Sequence, residues 1–235
     1  MSDGKSVSSV HIRICRGSLM GNCLRSGGRA SVMERSGRSI GEETADMAEV
    51  LLYHHIQGLT DGVQAFADDL RQAGHTVHTP DLFEGHTFGS LKEGMGFARE
   101  AGFDVIRARG AAAAEELGSE LVYAGFSFGV TIAQRLAQTR PGARGALLMF
   151  SCIPVAEFGK SWPEGVPVQI HGKEGDEFFD EDLPAARELA ESTSAAELFV
   201  YPGDQHLFAD SSLDAFDPDA SGLLMERVRT FLASV

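Results

Sequence analysis

From residue 50 onward, short apolar runs alternate with stretches whose apolar residues recur every three or four positions. Residues 50–54 are such a run, bounded by turn chemistry, as expected of a strand buried on both faces. In 61–73, Val63, Phe66, Ala67 and Leu70 fall at i, i+3, i+4 and i+7, and Gly74 stands at the stop, so the spacing predicts a helix. The same reading predicts strands at 75–79, 121–124, 146–150, 168–171 and 197–201, and helices at 91–98, 104–117, 130–138 and 183–192. A last helix opens on Asp217 as N-cap with Pro218 behind it, and its buried stripe is Leu224, Val228, Phe231 and Leu232.

Six short strands alternating with amphipathic helices predict an α/β fold: a mostly parallel, about six-stranded sheet with helices on both faces. Right-handed crossovers carry the loops after the strands to one sheet edge, where ligands bind in such folds. No internal repeat is visible, and residues 47–235 read as one domain. Residues 1–46 are a different material. They hold nine serines and seven glycines but no aromatic residue, and seven basic against five acidic side chains. A segment of this kind buries too little apolar surface to offset chain entropy, so it reads as disordered, with Met47 as an alternative start of the chain. It contributes no strand to this reading, which makes the expected sheet a truncated one.

Composition narrows the function. With 43% hydrophobic residues the chain can build a core, but no apolar run approaches the roughly 20 residues of a membrane span. A net charge of −14 argues against nucleic acid and anionic membrane surfaces as partners. Three cysteines, Cys15, Cys23 and Cys152, make neither a disulfide framework nor a metal site, so no metal is expected and the thiols read as reduced in a cytoplasmic protein.

The chemistry is concentrated after three strands. Residues 121–129 run from an apolar strand into Gly125-Phe126-Ser127-Phe128-Gly129, a G-x-S-x-G motif that leads into a helix. A serine on such a strand-to-helix turn is lifted above the sheet edge, and the Phe128 N–H at the helix start is free for an oxyanion. Neither G-x-x-x-x-G-K-[ST] nor G-x-G-x-x-G is present, so the turn does not read as a phosphate loop. A serine hydroxyl needs a base, and the base an orienting acid. In the chain order Ser, Asp, His, Asp176 follows the strand at 168–171 and His206 the strand ending at residue 201. Asp176 has acidic rivals in Glu174, Glu177, Asp180 and Asp182. His206 competes with His171, His54, His55 and His86.

With these motifs in hand, residues 47–235 resemble the dienelactone hydrolase family of α/β-hydrolases. The resemblance rests on His55-Ile56-Gln57-Gly58, Thr79-Pro80-Asp81-Leu82-Phe83, the Gly125–Gly129 turn, Gly175-Asp176 and His206-Leu207-Phe208-Ala209. It implies a second oxyanion donor, the backbone N–H of Ile56. It also marks departures: Ser127 stands where the type enzyme has a cysteine, His55 where the family has a glutamate, and Asp210 where an arginine reads the substrate carboxylate. His55 and Asp210 are thereby expected at the substrate pocket, with Asp210 repelling anionic substrates. The resulting expectation is a hydrolase of a small ester, lactone or thioester, using Ser127, His206 and Asp176 through an acyl-enzyme and no cofactor. Its partner is a small-molecule substrate, whether the chain is a monomer or a homodimer. The alternatives are an acyltransferase with the same triad and a non-catalytic binding protein of the same fold.

Overall fold

The computed structural model describes residues 12–14 and 47–235. The sheet comprises β1 (Ile12–Ile14), β2 (Glu49–Tyr53), β3 (Thr76–His78), β4 (Val122–Phe126), β5 (Gly145–Met149), β6 (Val168–Glu174) and β7 (Ala196–Pro202). All neighbours pair in parallel in the order β1-β7-β6-β5-β4-β2-β3. The six expected strands are therefore present, and the sheet is one strand wider than the truncated one expected, because Ile12–Ile14 lies along β7. The rest of the N-terminal stretch, with Cys15, Cys23 and the question of a start at Met47, lies outside the described residues.

The helices are α1 (Asp61–Gln72), α2 (Leu91–Ala101), α3 (Phe103–Glu115), α4 (Val130–Thr139), α5 (Glu177–Ser192) and α6 (Pro218–Leu232). Strand alternation divides the core between two faces. Leu51, Tyr53, Tyr123, Ala146 and Leu148 point toward the layer containing Ile106, Ile132 and Phe179 from α3, α4 and α5. Val50, Leu52, Val122, Leu147 and Met149 meet Val63, Phe66 and Leu70 of α1 and Leu224, Val228 and Phe231 of α6. Burial on both faces is why these strands read as continuous apolar runs. No helix among the described residues is long and apolar enough to cross a membrane.

One helix begins earlier than its apolar pattern suggested. Residues 177–182, which precede the helix expected at 183–192, form the first turns of α5, with Asp176 as N-cap accepting from the Phe178 N–H at 3.1 Å. A capping carboxylate and acids in the first turn complement the exposed N–H groups and the positive end of the helix dipole. This displacement matters to the site, because it fixes one oxygen of Asp176.

Candidate active site

The chain reverses its direction of winding between β2 and β4. β3 lies beyond β2 on one side, whereas β4, β5, β6 and β7 follow in order on the other. Such a switch point leaves a crevice above the carboxyl ends of the two strands. Ser127 closes β4 with φ of 48°, in the left-handed region that a non-glycine residue adopts only under constraint. The constraint is close packing around the turn. A Cβ at Gly125 would overlap the Gly129 backbone, and one at Gly129 would overlap the Tyr53 carbonyl at the end of β2. Two glycines thus let the turn close tightly and let α4 start against the neighbouring strand.

Asp176 and His206 reach the same point from the loops after β6 and β7. The His206 ring spans them: Nδ1 lies 2.6 Å from Asp176 Oδ2, and Nε2 lies 2.9 Å from Ser127 Oγ. With a carboxylate at Nδ1 the ring proton sits there, leaving Nε2 to accept from the serine hydroxyl. Because Asp176 Oδ1 caps α5, the carboxylate cannot rotate freely, and its other oxygen stays on the imidazole. The ring of Phe178 covers His206 at 4.8 Å, and Phe150 approaches it edge-on at 6.1 Å. Phe150 and Leu207, like Ser127, have positive φ, 69° and 60°, so three constrained non-glycine residues surround the one imidazole.

Ile56 sits in the turn after β2, beside Ser127 across the β2–β4 pair, where Tyr53 is in register with Gly125. Among the described residues no acceptor takes the Ile56 or Phe128 N–H. Helix α2 presses on this turn through Gly94, where a Cβ would overlap the Ile56 carbonyl. Phe128 packs against Phe103 of α3 at 5.9 Å, which puts aromatic surface beside the serine.

The other histidines are occupied. His54 Nδ1 donates to the His55 carbonyl at 2.7 Å, and its Nε2 accepts from the Leu82 N–H at 3.0 Å. His171 bonds Tyr201 Oη at 2.9 Å and Gln169 Oε1 at 3.2 Å. Burial pushes His54 down to about 4 and His171 down to about 3, so both are neutral in the fold. His86 is exposed and stacks on Phe97 at 5.0 Å, with its Nδ1 on the Phe83 carbonyl at 2.8 Å. Cys152 is a buried thiol that burial, aided by Asp182, pushes up to about 12.

These two neutral histidines carry a pH prediction. An unfolded chain binds their protons below about 6.5, whereas the fold refuses them until about 4 and about 3. Their neutral burial therefore costs nothing above pH 6.5, and stability falls as the pH drops from there toward the folded values. At pH 5 each is expected to cost about 2 kcal/mol, together lowering Tm by roughly 8–16 °C relative to pH 7.5. Thermal melts at the two pH values check this; equal Tm values would show that both rings protonate within the fold.

The structure parts from the sequence reading at His55 and Asp210. Both are fully buried, and they are bonded to each other: His55 Nε2 lies 2.7 Å from Asp210 Oδ2. Asp210 also accepts from Thr60 Oγ1 at 2.5 Å, Ser212 N–H at 2.9 Å and Ser212 Oγ at 2.6 Å. Burial alone would raise its pKa, but the hydrogen bonds from His55, Ser212 and Thr60 hold the carboxyl below the usual carboxylate value. A carboxylate enclosed by four donors does not meet substrate, so the argument that Asp210 repels anions falls. Asp210→Arg is accordingly expected to destabilise the fold by about 4 kcal/mol or more, since it buries an unpaired cation among donors. Activity toward neutral and anionic esters should then fall alike. Thermal melts and parallel assays on both substrates check it; an unchanged Tm with a selective gain for the anion would return Asp210 to the pocket.

Sequence reasoning also missed a buried lysine. Lys173, fully enclosed at the end of β6, bonds Gln205 Oε1 and Asp217 Oδ2, both at 2.6 Å, and lies 5.0 Å from the Phe208 ring centroid. The Lys173 hydrogen bond, first among several, holds the Asp217 carboxyl below its ordinary value. Three residues before Asp176 and bonded to the residue before His206, Lys173 ties the strand that precedes Asp176 to the loop of His206. The available signal was a lone lysine closing the buried run 168–172.

The model of the dienelactone hydrolase family matches residues 37–235. The chain belongs to this family. With the family comes the reaction class, hydrolysis of ester bonds. No curated protein matches the chain. Solved structures share the fold at low identity. A Klebsiella pneumoniae protein provisionally named a dienelactone hydrolase is 17% identical, with a TM-score of 0.61 over 82% of this chain and 90% of that one. The dienelactone hydrolase-like promiscuous phosphotriesterase P91 from metagenomic libraries is 16% identical, with a TM-score of 0.61 over 80% of this chain and 86% of that one. Carboxyl esterase 2 of the mycorrhizal fungus Tuber melanosporum is 12% identical, with a TM-score of 0.57 over 80% and 78%.

Proposed function

We propose that this dienelactone hydrolase family member is a serine hydrolase of small, neutral esters, lactones or thioesters, working through an acyl-enzyme. The observation that carries the reading is the unbroken hydrogen-bond chain from Ser127 Oγ through His206 to Asp176. Ser127 Oγ attacks the substrate carbonyl while His206 Nε2 takes the hydroxyl proton. Asp176 holds the imidazole in the accepting tautomer and stabilises the imidazolium that forms. The negative oxygen of the tetrahedral intermediate falls to the N–H groups of Ile56 and Phe128. His206 then returns the proton to the leaving alcohol or thiol, and water, activated by the same ring, releases the acid.

Neutrality of the substrate no longer rests on Asp210. It rests on the exposed carboxylates of Glu174, Glu177, Asp180 and Asp204, which flank Asp176 and His206 along the chain, and on a net charge of −14. Phe178, 44% exposed above His206, and the half-buried Phe128 offer apolar surface on either side of the serine. We assign this activity to residues 47–235 of a cytoplasmic protein, monomeric or homodimeric. The test is a fluorophosphonate probe beside a panel of p-nitrophenyl esters and neutral lactones. Labelling and turnover by the wild type, both absent from Ser127→Ala, support the reading; a folded wild type that neither labels nor turns over marks a binding protein instead.

A further inference from the structure

We propose that the buried His55–Asp210 pair is a positioning device that sets the oxyanion N–H of Ile56 against the loop of the catalytic histidine; this rests on the hydrolase reading above. His55 immediately precedes Ile56, and its ring straddles that residue. Nδ1 accepts from the Gln57 N–H at 3.2 Å, which puts the ring proton on Nε2, where it donates to Asp210. The peptide groups flanking Ile56 are thereby tethered to one imidazole. Its anchor, Asp210, is four residues beyond His206, on a turn closed by the Asp210 N–H to the Leu207 carbonyl at 3.0 Å. One side-chain hydrogen bond thus joins the two halves of the site, across 155 residues of sequence.

The anchor is itself held rigidly. Thr60, which donates to Asp210, also caps α1 by accepting from the Val63 N–H at 3.3 Å. Ser212 Oγ, which donates to Asp210, accepts from the Gly62 N–H at 3.2 Å. Asp210 therefore sits at the positive end of α1, and a Cβ at Gly62 would overlap its Oδ1. Behind the Ile56 turn, Gly94 of α2 blocks the opposite direction. The turn is trapped between a helix on one side and a hydrogen-bonded ring on the other. An oxyanion donor stabilises only charge that develops in the transition state, so its misplacement lowers kcat and leaves substrate binding nearly intact.

The experiment measures kcat per fluorophosphonate-titrated site, KM for a p-nitrophenyl ester, and Ki for phenylboronic acid as a tetrahedral mimic. It uses wild type, His55→Ala, Asp210→Ala, the double variant and Ser212→Ala. The expected result is a fall in kcat of about 10- to 100-fold in each of the first two variants, with KM within about threefold. Ki should rise in step, and the double variant should be no worse than the poorer single one, because both break one bond. Ser212→Ala, which removes one exposed donor from the anchor, should lose about two- to fivefold in kcat. This last variant decides the matter if His55→Ala does not fold. A purely structural role would lower the titrated fraction and leave kcat per site and Ki unchanged, which overturns the proposal. Additive losses, or losses in KM alone, overturn it too. An inert, unlabelled wild type would instead remove the hydrolase reading beneath it.

Discussion

Ser127→Ala is expected to lower kcat for ester hydrolysis by about 10⁴-fold or more while the fold persists. The loss is large because no other group can take over the attack. Ser151 and Cys152, a hydroxyl and a thiol in the loop after β5, are both unsuited to it. Ser151 Oγ is committed to Asp182 at 2.6 Å, and the Cys152 thiol is buried and far from ionising at neutral pH. The fold should persist because the turn is shaped by Gly125 and Gly129, and alanine meets the same left-handed backbone cost that serine already bears at φ 48°. The measurement is a burst and steady-state assay on a p-nitrophenyl ester, with Tm as the control. Retention of more than roughly a tenth of the wild-type kcat would falsify Ser127 as nucleophile.

What the sequence made legible follows from what kind of interaction fixes each part. The strands of the central sheet are buried on both faces, so their apolar runs, such as 146–150, announce them directly. Ser127, Asp176 and His206 are legible because each follows a recognisable strand and the turn glycines mark the sites of close approach. The start of α5 was not legible, because its first turns carry Glu177, Asp180, Glu181 and Asp182, whose helical preference comes from the capping geometry of Asp176 and not from an apolar stripe. The interior of the network was hidden for a related reason. A buried polar residue looks in sequence like a surface one, and only its partners reveal it. His55 and Asp210 stand 155 positions apart, as Lys173 and Asp217 stand 44 apart, and nothing local to any of them records the pairing. The family resemblance singled out positions 55 and 210 and expected them at the substrate; the structure buries both, bonded to each other and, at Asp210, to Thr60 and Ser212.

Asp176→Asn is expected to cost about 10³- to 10⁴-fold in kcat with little change in Tm, and the two readouts come apart for a definite reason. The carboxylate has two oxygens with separate tasks: Oδ1 accepts from the Phe178 N–H as the cap of α5, and Oδ2 holds His206 Nδ1. Asparagine caps a helix about as well as aspartate, so its oxygen takes the first task and the helix keeps its start. Its NH₂ group must then face Nδ1. A donor there selects the tautomer protonated on Nε2, which cannot accept the Ser127 proton, and it offers no negative charge to the imidazolium. Asp176→Ala should add to the same catalytic loss a stability cost of about 1 kcal/mol from the missing cap. Steady-state kinetics, thermal melts and the rate of fluorophosphonate labelling on both variants separate the two tasks. If folded Asp176→Asn kept more than a tenth of wild-type kcat, the orienting acid would be a different carboxylate, with Asp180, whose Oδ1 accepts from the Gly175 N–H at 3.4 Å, the next to replace.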